Sequence, residues 1–413
     1  MGCYNYGTLF LTFCNNRFDV IVIYIKKYLS ENSRIFLSIQ PRSREGFFVY
    51  RHLGLVGCNI GYMKRILRLL IILPLLIWVA CEDEKSSNSD DDTLYEYELH
   101  SNNRVSSLLM SESEYSNWVG NDGFSDGSIR LPLINDVYNK FPDKYDFIFF
   151  VLNEPSIPSS LFYYGKLIGV SNNVQGIGSN SYDYTSDYGS SGKLKAVMQL
   201  TGLEYLKYGP ALHELAHQWA NYALPTHSVD GVGSNLTSYP YWGHWGYTGG
   251  STKGQLGGFK QSSLIENGNN SYTVDSFGPF ANGGNGIPFN ELELYLMGMI
   301  PISSVSNFDM FTDITSLTVN SSTFTFDFTA SSRTTYTPQS LEDLLGERVP
   351  PIGSSQKDFK LLVVVITDTP LSDDEWNKVD ATAEWFSIKG DDGTSLYNFW
   401  EATNGVGSIT IED

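Results

Sequence analysis

The chain predicts an α+β fold: a mixed sheet, one helix that carries the functional residues, and a C-terminal α/β subdomain. Two dense apolar runs of strand length, 145–152 (YDFIFFVL) and 360–367 (KLLVVVIT), read as buried central strands. Three stretches, 129–141, 210–220 and 372–386, carry apolar residues at helical spacing. The 413 residues are 41% hydrophobic, enough for a large core and one or two domains.

In chain order, Leu131, Ile134, Val137 and Tyr138 give the first helix its apolar stripe. The central strand at 145–152 follows, then strand candidates at 161–170 and 193–200, separated by a Gly/Ser/Asn/Tyr-rich loop at 171–192. In 210–220, Pro210 suits a first helical turn, where its missing N–H costs nothing. Leu212, Leu215, Ala216, Trp219 and Ala220 then mark a half-buried face. Leu224-Pro225 stops that helix, and the Gly-, Tyr- and Trp-rich stretch 226–259 reads as a cleft floor or loop. Glu266-Asn267-Gly268-Asn269-Asn270 predicts a hairpin turn between 260–265 and 271–277. Further on, 323–328 alternates as a solvent-faced strand, and Ser372 with Glu375 three residues later forms a capping signature for the helix at 372–386. The tail 396–411 predicts a helix and a closing strand. The expected boundaries are a catalytic domain over 94–304 and a subdomain over 305–413.

The first 93 residues read differently. Met63-Lys64-Arg65-Ile66-Leu67-Arg68, an apolar run at 69–80 and Cys81 have the order of an export signal: charged region, apolar region, cleavage site. The apolar run is too short to span a bilayer, which takes about 20 residues. The Ala80-Cys81 junction resembles the lipobox of bacterial lipoproteins, which implies a signal peptide over 63–80 and a lipid on Cys81. Residues 1–62 then read as translated sequence upstream of a true start at Met63. The stretch 81–93 is a flexible acidic tether, and its acidic run resembles the surface-export signal of bacterial surface lipoproteins. The expected location is the outer membrane or cell surface.

Charge and cysteine usage narrow the function. Net charge is −19 overall, and from residue 81 onward there are 17 Lys+Arg against 43 Asp+Glu, a formal −26. Such a surface repels phosphate, so nucleic-acid partners are not expected. All four cysteines, Cys3, Cys14, Cys58 and Cys81, lie at or before the expected lipidation site, so neither disulfides nor a thiol nucleophile enter the argument.

The chemistry concentrates in His213-Glu214-Leu215-Ala216-His217. On a helix, His213 and His217 stand one turn apart on one face, where both imidazoles can hold one metal ion. Glu214 lies beside them, placed to take a proton from a water that the metal activates. Only six histidines exist, and four of them, His213, His217, His227 and His244, fall within 213–244. A catalytic Zn2+ takes three protein ligands. The leading third ligand is His244, in Tyr241-Trp242-Gly243-His244-Trp245-Gly246; Glu291, Glu293 and His227 remain open as alternatives.

The His-Glu-x-x-His helix, preceded by a helix, a central strand and an edge strand, resembles zincin peptidases. The resemblance implies a zincin-like domain in which the edge strand lines the cleft and pairs with an extended peptide. A third His six residues after His217, as in metzincins, is absent because that position is Ala223. His-Glu-Leu-Ala-His-Gln-Trp is similar to the neutral metallo-aminopeptidases, but where their ligand Glu would stand this chain has Leu236. Met297 and Met299 could form the methionine turn that metzincins place beneath zinc; plain core packing is the other reading. The implied function is a zinc-dependent peptidase, an endopeptidase with Glu214 as general base, acting on peptide or protein substrates. The contrasting reading is a surface-binding or adhesin lipoprotein with a structural or vestigial metal site.

Overall fold

In the computed structural model, residues 93–412 are described except 231–236 and 241–242, together with an antiparallel strand pair, Gly7–Leu11 and Ile21–Ile25. The chain divides into two compact units, Met1–Ser87 and Asn88–Asp413. The expected export signal, Cys81 and all but the last residue of the tether lie outside the described residues.

The second unit contains β1 Glu96–Leu99, β2 Ser106–Leu109, α1 Glu112–Gly120, α2 Gly127–Lys140, β3 Phe147–Leu152 and β4 Gly165–Gly169. There follow β5 Ala196–Leu200, α3 Ala211–Ala220, β6 Ile265–Gly268, β7 Ser271–Asp275 and α4 Glu291–Leu296. The last elements are β8 Phe308–Asn320, β9 Thr325–Tyr336, β10 Asp358–Thr367, α5 Asp373–Ser387 and β11 Ser408–Ile411, with shorter pieces between them.

The main sheet is mixed, in the order β1-β2-β10-β3-β5-β4, with β11 beside the first half of β10. Strands β2, β10, β3 and β5 are parallel, while β1 and β4 close the two ends antiparallel. Helices cover both faces, which explains why the central strands read as unbroken apolar runs. Phe147, Phe149 and Val151 of β3 face one core with Leu361, Val363 and Val365 of β10. Ile148, Phe150 and Leu152 face the other with Leu362, Val364 and Ile366. The first core takes residues of α3, α4 and α5; the second takes residues of α1 and α2. The protein is thus of mixed α+β class, as expected.

The expected division at residue 305 does not hold. β10 lies between β2 and β3 and is parallel to both, so the C-terminal segment supplies a central strand of the main sheet. A strand buried on both faces needs a neighbour on each side, and here those neighbours come from the first 60 residues of the described unit.

A second sheet, ordered β6-β7-β9-β8, packs Tyr272, Phe311 and Phe328 into its own small core. Its β6–β7 turn places Asn269 and Asn270 at φ 50° and 58°, the left-handed pair that a two-residue hairpin turn requires. The α5 helix has the expected capping box, with Ser372 N–H donating to Glu375 Oε2 at 2.8 Å.

Leu361 is fully buried and lies on β10 between β3 and β11. Leu361→Ala should cost about 2–5 kcal/mol. Calorimetry of this variant should show the main transition move as one; a second, unshifted transition would mean that the C-terminal segment unfolds separately.

Candidate metal centre

The centre begins with α3. Its apolar face, Leu212, Leu215, Ala216 and Trp219, is buried in the first core, which fixes the helix rotation and turns His213 and His217 toward a cleft. Pro210 stands at the cap position, one place before the expected first turn, and provides no capping side chain. Asn285 does that work from another segment: its Oδ1 accepts from Leu212 N–H at 3.0 Å, while its amide donates to the carbonyls of Leu206 and Lys207.

His213, His217 and His244 come together, with one ring nitrogen of each within 4.8 Å of the others. The His213 and His244 rings lie nearly parallel at 5.4 Å, and His217 meets both at 87° and 4.9 Å. Each helical imidazole has an outer acceptor. Nδ1–H of His213 donates to the Gln255 carbonyl at 2.7 Å, and Nδ1–H of His217 donates to Asn221 Oδ1 at 2.6 Å. That arrangement selects the tautomer with a lone pair on Nε2, as metal-binding histidines require. The two Nε2 atoms are 3.3 Å apart. Two nitrogens about 2.0–2.1 Å from one tetrahedral zinc are separated by roughly 3.4 Å, so the donor pair fits that ion. Burial lowers the pKa of His213, and burial followed by the neighbouring imidazoles holds His217 well below the ordinary value. Both rings are therefore neutral near pH 7, the form that ligates.

The loop bearing His244 reaches α3 because Gly243 has no side chain: a Cβ there would lie 3.0 Å from Asn221 Oδ1 and 3.3 Å from His217 Nδ1. Trp245 anchors the loop, donating from Nε1 to the Ala220 carbonyl at 3.2 Å.

Glu214 projects toward the open edge of β4. In β4 the Tyr164 carbonyl and the Val170 N–H pair toward β5, so Gly165, Leu167 and Gly169 turn their main-chain groups away from the sheet. Glu214 Oε2 accepts from Leu167 N–H at 3.1 Å on that edge. A Cβ at Gly165 would lie 2.8 Å from both Glu214 Cγ and Pro210 Cγ, so only glycine leaves room for the carboxylate. Burial pushes Glu214 up to about 8, opposed by the Leu167 amide and Lys166. A cation held by the neighbouring imidazoles would supply the counter-charge that favours its ionised form.

No model of a known family, no curated protein and no solved structure matches this chain.

The two carboxylates among the expected ligands have other partners. Glu291 Oε2 accepts from Ser306 N–H at 2.6 Å, and neither Glu291 nor Glu293 belongs to the histidine cluster. His227 lies on the strand Thr226–Asp230, its main chain opposite Tyr239. Met297 and Met299 are core residues; the Met299 methyl faces Gly407.

Glu293 instead supports the centre from behind. Its carboxylate accepts from Leu256 N–H at 3.0 Å and Asn290 N–H at 2.9 Å. The Leu256 carbonyl in turn accepts from Trp245 N–H at 2.8 Å, next to His244, and the adjoining Gln255 carbonyl holds His213. The Gln255 side chain donates to the Gly284 carbonyl at 3.0 Å and also to that of Ile287. Gln255, Asn221 and Asn285 were not legible beforehand, because each works through a main-chain group or a distant segment.

Glu293 is fully buried, and burial raises its pKa from 4.5 to about 7. The folded carboxyl therefore keeps a proton that the unfolded chain releases. Its contribution to stability is complete below pH 4.5 and is lost as pH rises through 7, a change of about 3 kcal/mol. Denaturation of metal-free protein from pH 4.5 to 8 should show Glu293→Gln less pH-dependent than the parent by about that amount. Equal slopes would show that folding does not shift the Glu293 pKa.

Proposed function

We propose that this protein is a zinc-dependent peptidase of zincin type. The observation that supports it most is the convergence of three imidazoles, with Glu214 beside them, on a cleft of about 1060 Å³ bounded by the open edge of β4. A structural zinc site is closed by four protein ligands and needs no neighbouring carboxylate. Here the described residues offer three nitrogens and an approach from solvent. Zinc held there would polarise the scissile carbonyl and acidify the attacking water.

The chain's own residues have separable tasks. Gln255 and Asn221 hold His213 and His217 in the ligating tautomer. Glu214 accepts the proton of the attacking water and returns it to the leaving amine. The Leu167 amide and the space at Gly165 hold its carboxylate in place. The free main-chain groups of β4 offer pairing to an extended substrate backbone. Internal cleavage is favoured over removal of terminal residues. Apart from Glu214 and the histidines, the one acidic or basic side chain among the described residues lining the cleft is Lys166, already paired with Asp122 at 3.2 Å. Nothing else described in the cleft offers a counter-charge to a terminal ammonium or carboxylate. The same reading keeps the protein at a membrane surface through a lipid on Cys81.

Metal analysis combined with casein digestion, with and without chelator, tests the proposal. Parent protein should carry about one zinc and lose cleavage on chelation. Glu214→Gln should retain zinc and lose at least roughly a hundredfold in kcat. His244→Ala should lose the metal. Gly165→Ala should keep the metal and lower kcat by displacing Glu214. A Glu214→Gln variant as active as the parent would refute the assignment.

A further inference from the structure

The cleft is walled by exposed rings on both sides of the imidazoles. Seven aromatic side chains are exposed among the described residues, and five of them (Phe162, Tyr164, Tyr184, Tyr222 and Phe280) line this one cleft. Large apolar patches on a surface otherwise rich in carboxylates mark a binding site rather than chance exposure. Their placement follows β4. Phe162 and Tyr164 precede its Gly165 end, and Phe162 is 95% exposed. Tyr182 lies over the Gly169 end: a Cβ at Gly169 would run into its hydroxyl. Tyr184 stacks on Tyr182 at 5.7 Å and 29°. Phe280 also lines the cleft, meeting the His244 ring edge-on at 5.4 Å. Beyond Tyr182 and Tyr222 an adjoining pocket of about 580 Å³ continues the wall with Leu344 and Leu345.

We propose that the cleft selects an internal stretch of polypeptide bearing bulky apolar or aromatic side chains on both sides of the bond to be cut. This rests on the peptidase reading for the cut, but the ligand class rests on the rings and on the β4 edge. A strand edge pairs with a polypeptide main chain, which an oligosaccharide lacks. The rings at either end then receive side chains projecting from that backbone. A charged residue would leave water for an aromatic wall whose one cation among the described residues, Lys166, is already paired with Asp122, so acidic and basic neighbours are disfavoured.

The test has two readouts. Parent protein is incubated with a peptide library randomised around a central bond, and products are read by mass spectrometry. In parallel, Glu214→Gln protein is titrated with three labelled probes: a Phe/Leu-rich peptide, a Ser/Glu peptide of equal length, and a β-linked glucose hexasaccharide. Phe, Tyr, Leu and Ile should exceed Asp, Glu and Lys by roughly tenfold or more on each side of the cut. Phe162→Ala and Tyr184→Ala, both exposed and so tolerated by the fold, should each relax selection on one side only. The apolar peptide should bind at least tenfold tighter than the Ser/Glu peptide. Preferential binding without any cleavage would remove the peptidase reading and keep the ligand class. Cleavage without apolar preference would keep the peptidase and overturn the inference. Equal binding of both peptides without cleavage, or binding of the hexasaccharide alone, would overturn it as well.

Discussion

The bond between His213 Nδ1–H and the Gln255 carbonyl is the constraint on which the centre depends. It fixes the ring, selects the tautomer, and belongs to a two-residue segment that also governs the third imidazole. Leu256, next in sequence, accepts from the main chain beside His244, and its own N–H is held by the buried carboxylate of Glu293. Two of the three clustered imidazoles, on different segments, are thus referenced to one short piece of backbone, which is itself referenced to the N-cap of α4. A metal centre needs donor positions held to a fraction of an ångström, and main-chain anchors flex less than side chains do. His217, the one imidazole of the three outside this arrangement, is held by Asn221, four residues on.

Electrostatics and packing act together here. Burial lowers the pKa of His213 and His217, which suits ligation, and raises that of Glu214, so a cation at the imidazoles would favour the ionised carboxylate. The same burial makes the absence of a side chain functional. Gly165 admits the carboxylate and Gly243 admits the histidine loop, and at both positions a single methyl group would crowd the side chains of the candidate site.

Much of this was legible in the chain, and the rest was hidden for physical reasons. The periodicity of Leu212, Leu215, Ala216 and Trp219 gave the helix and its rotation, and with them His213, Glu214 and His217, since all the information is local. His244 was the leading third ligand on residue type and its glycine neighbours, and the structure brings it to the pair. Glu293 was open as a ligand because composition cannot tell a carboxylate facing a metal from one facing backbone amides. Gln255 left no trace, because its main role falls on a carbonyl that every residue possesses. The boundary at 305 misled because pairing of β10 with β2 spans over 250 residues, and parallel pairing leaves no short-range signature. The hairpin of β8 and β9 was visible only as the fragment 323–328, because β8 is buried without a break over 308–311 and exposed over 315–320, so its burial does not alternate along its length.

An open strand edge is a hazard as well as a binding surface, since unpaired amides and carbonyls invite pairing with other chains. β4 meets this in ways that also suit it to receive a substrate. It is only five residues long, and the N–H at its midpoint is already occupied by Glu214. Pairing by an arriving chain would therefore have to accommodate the Glu214 carboxylate at the centre of the strand, with Gly165 and Gly169 offering main-chain groups on either side. A backbone that paired with both glycines would cross the carboxylate beside the three imidazoles. Under the proposed function, the feature that limits promiscuous association would also set the register of a bound peptide, so that protection of the edge and positioning of the scissile bond would have a single physical cause.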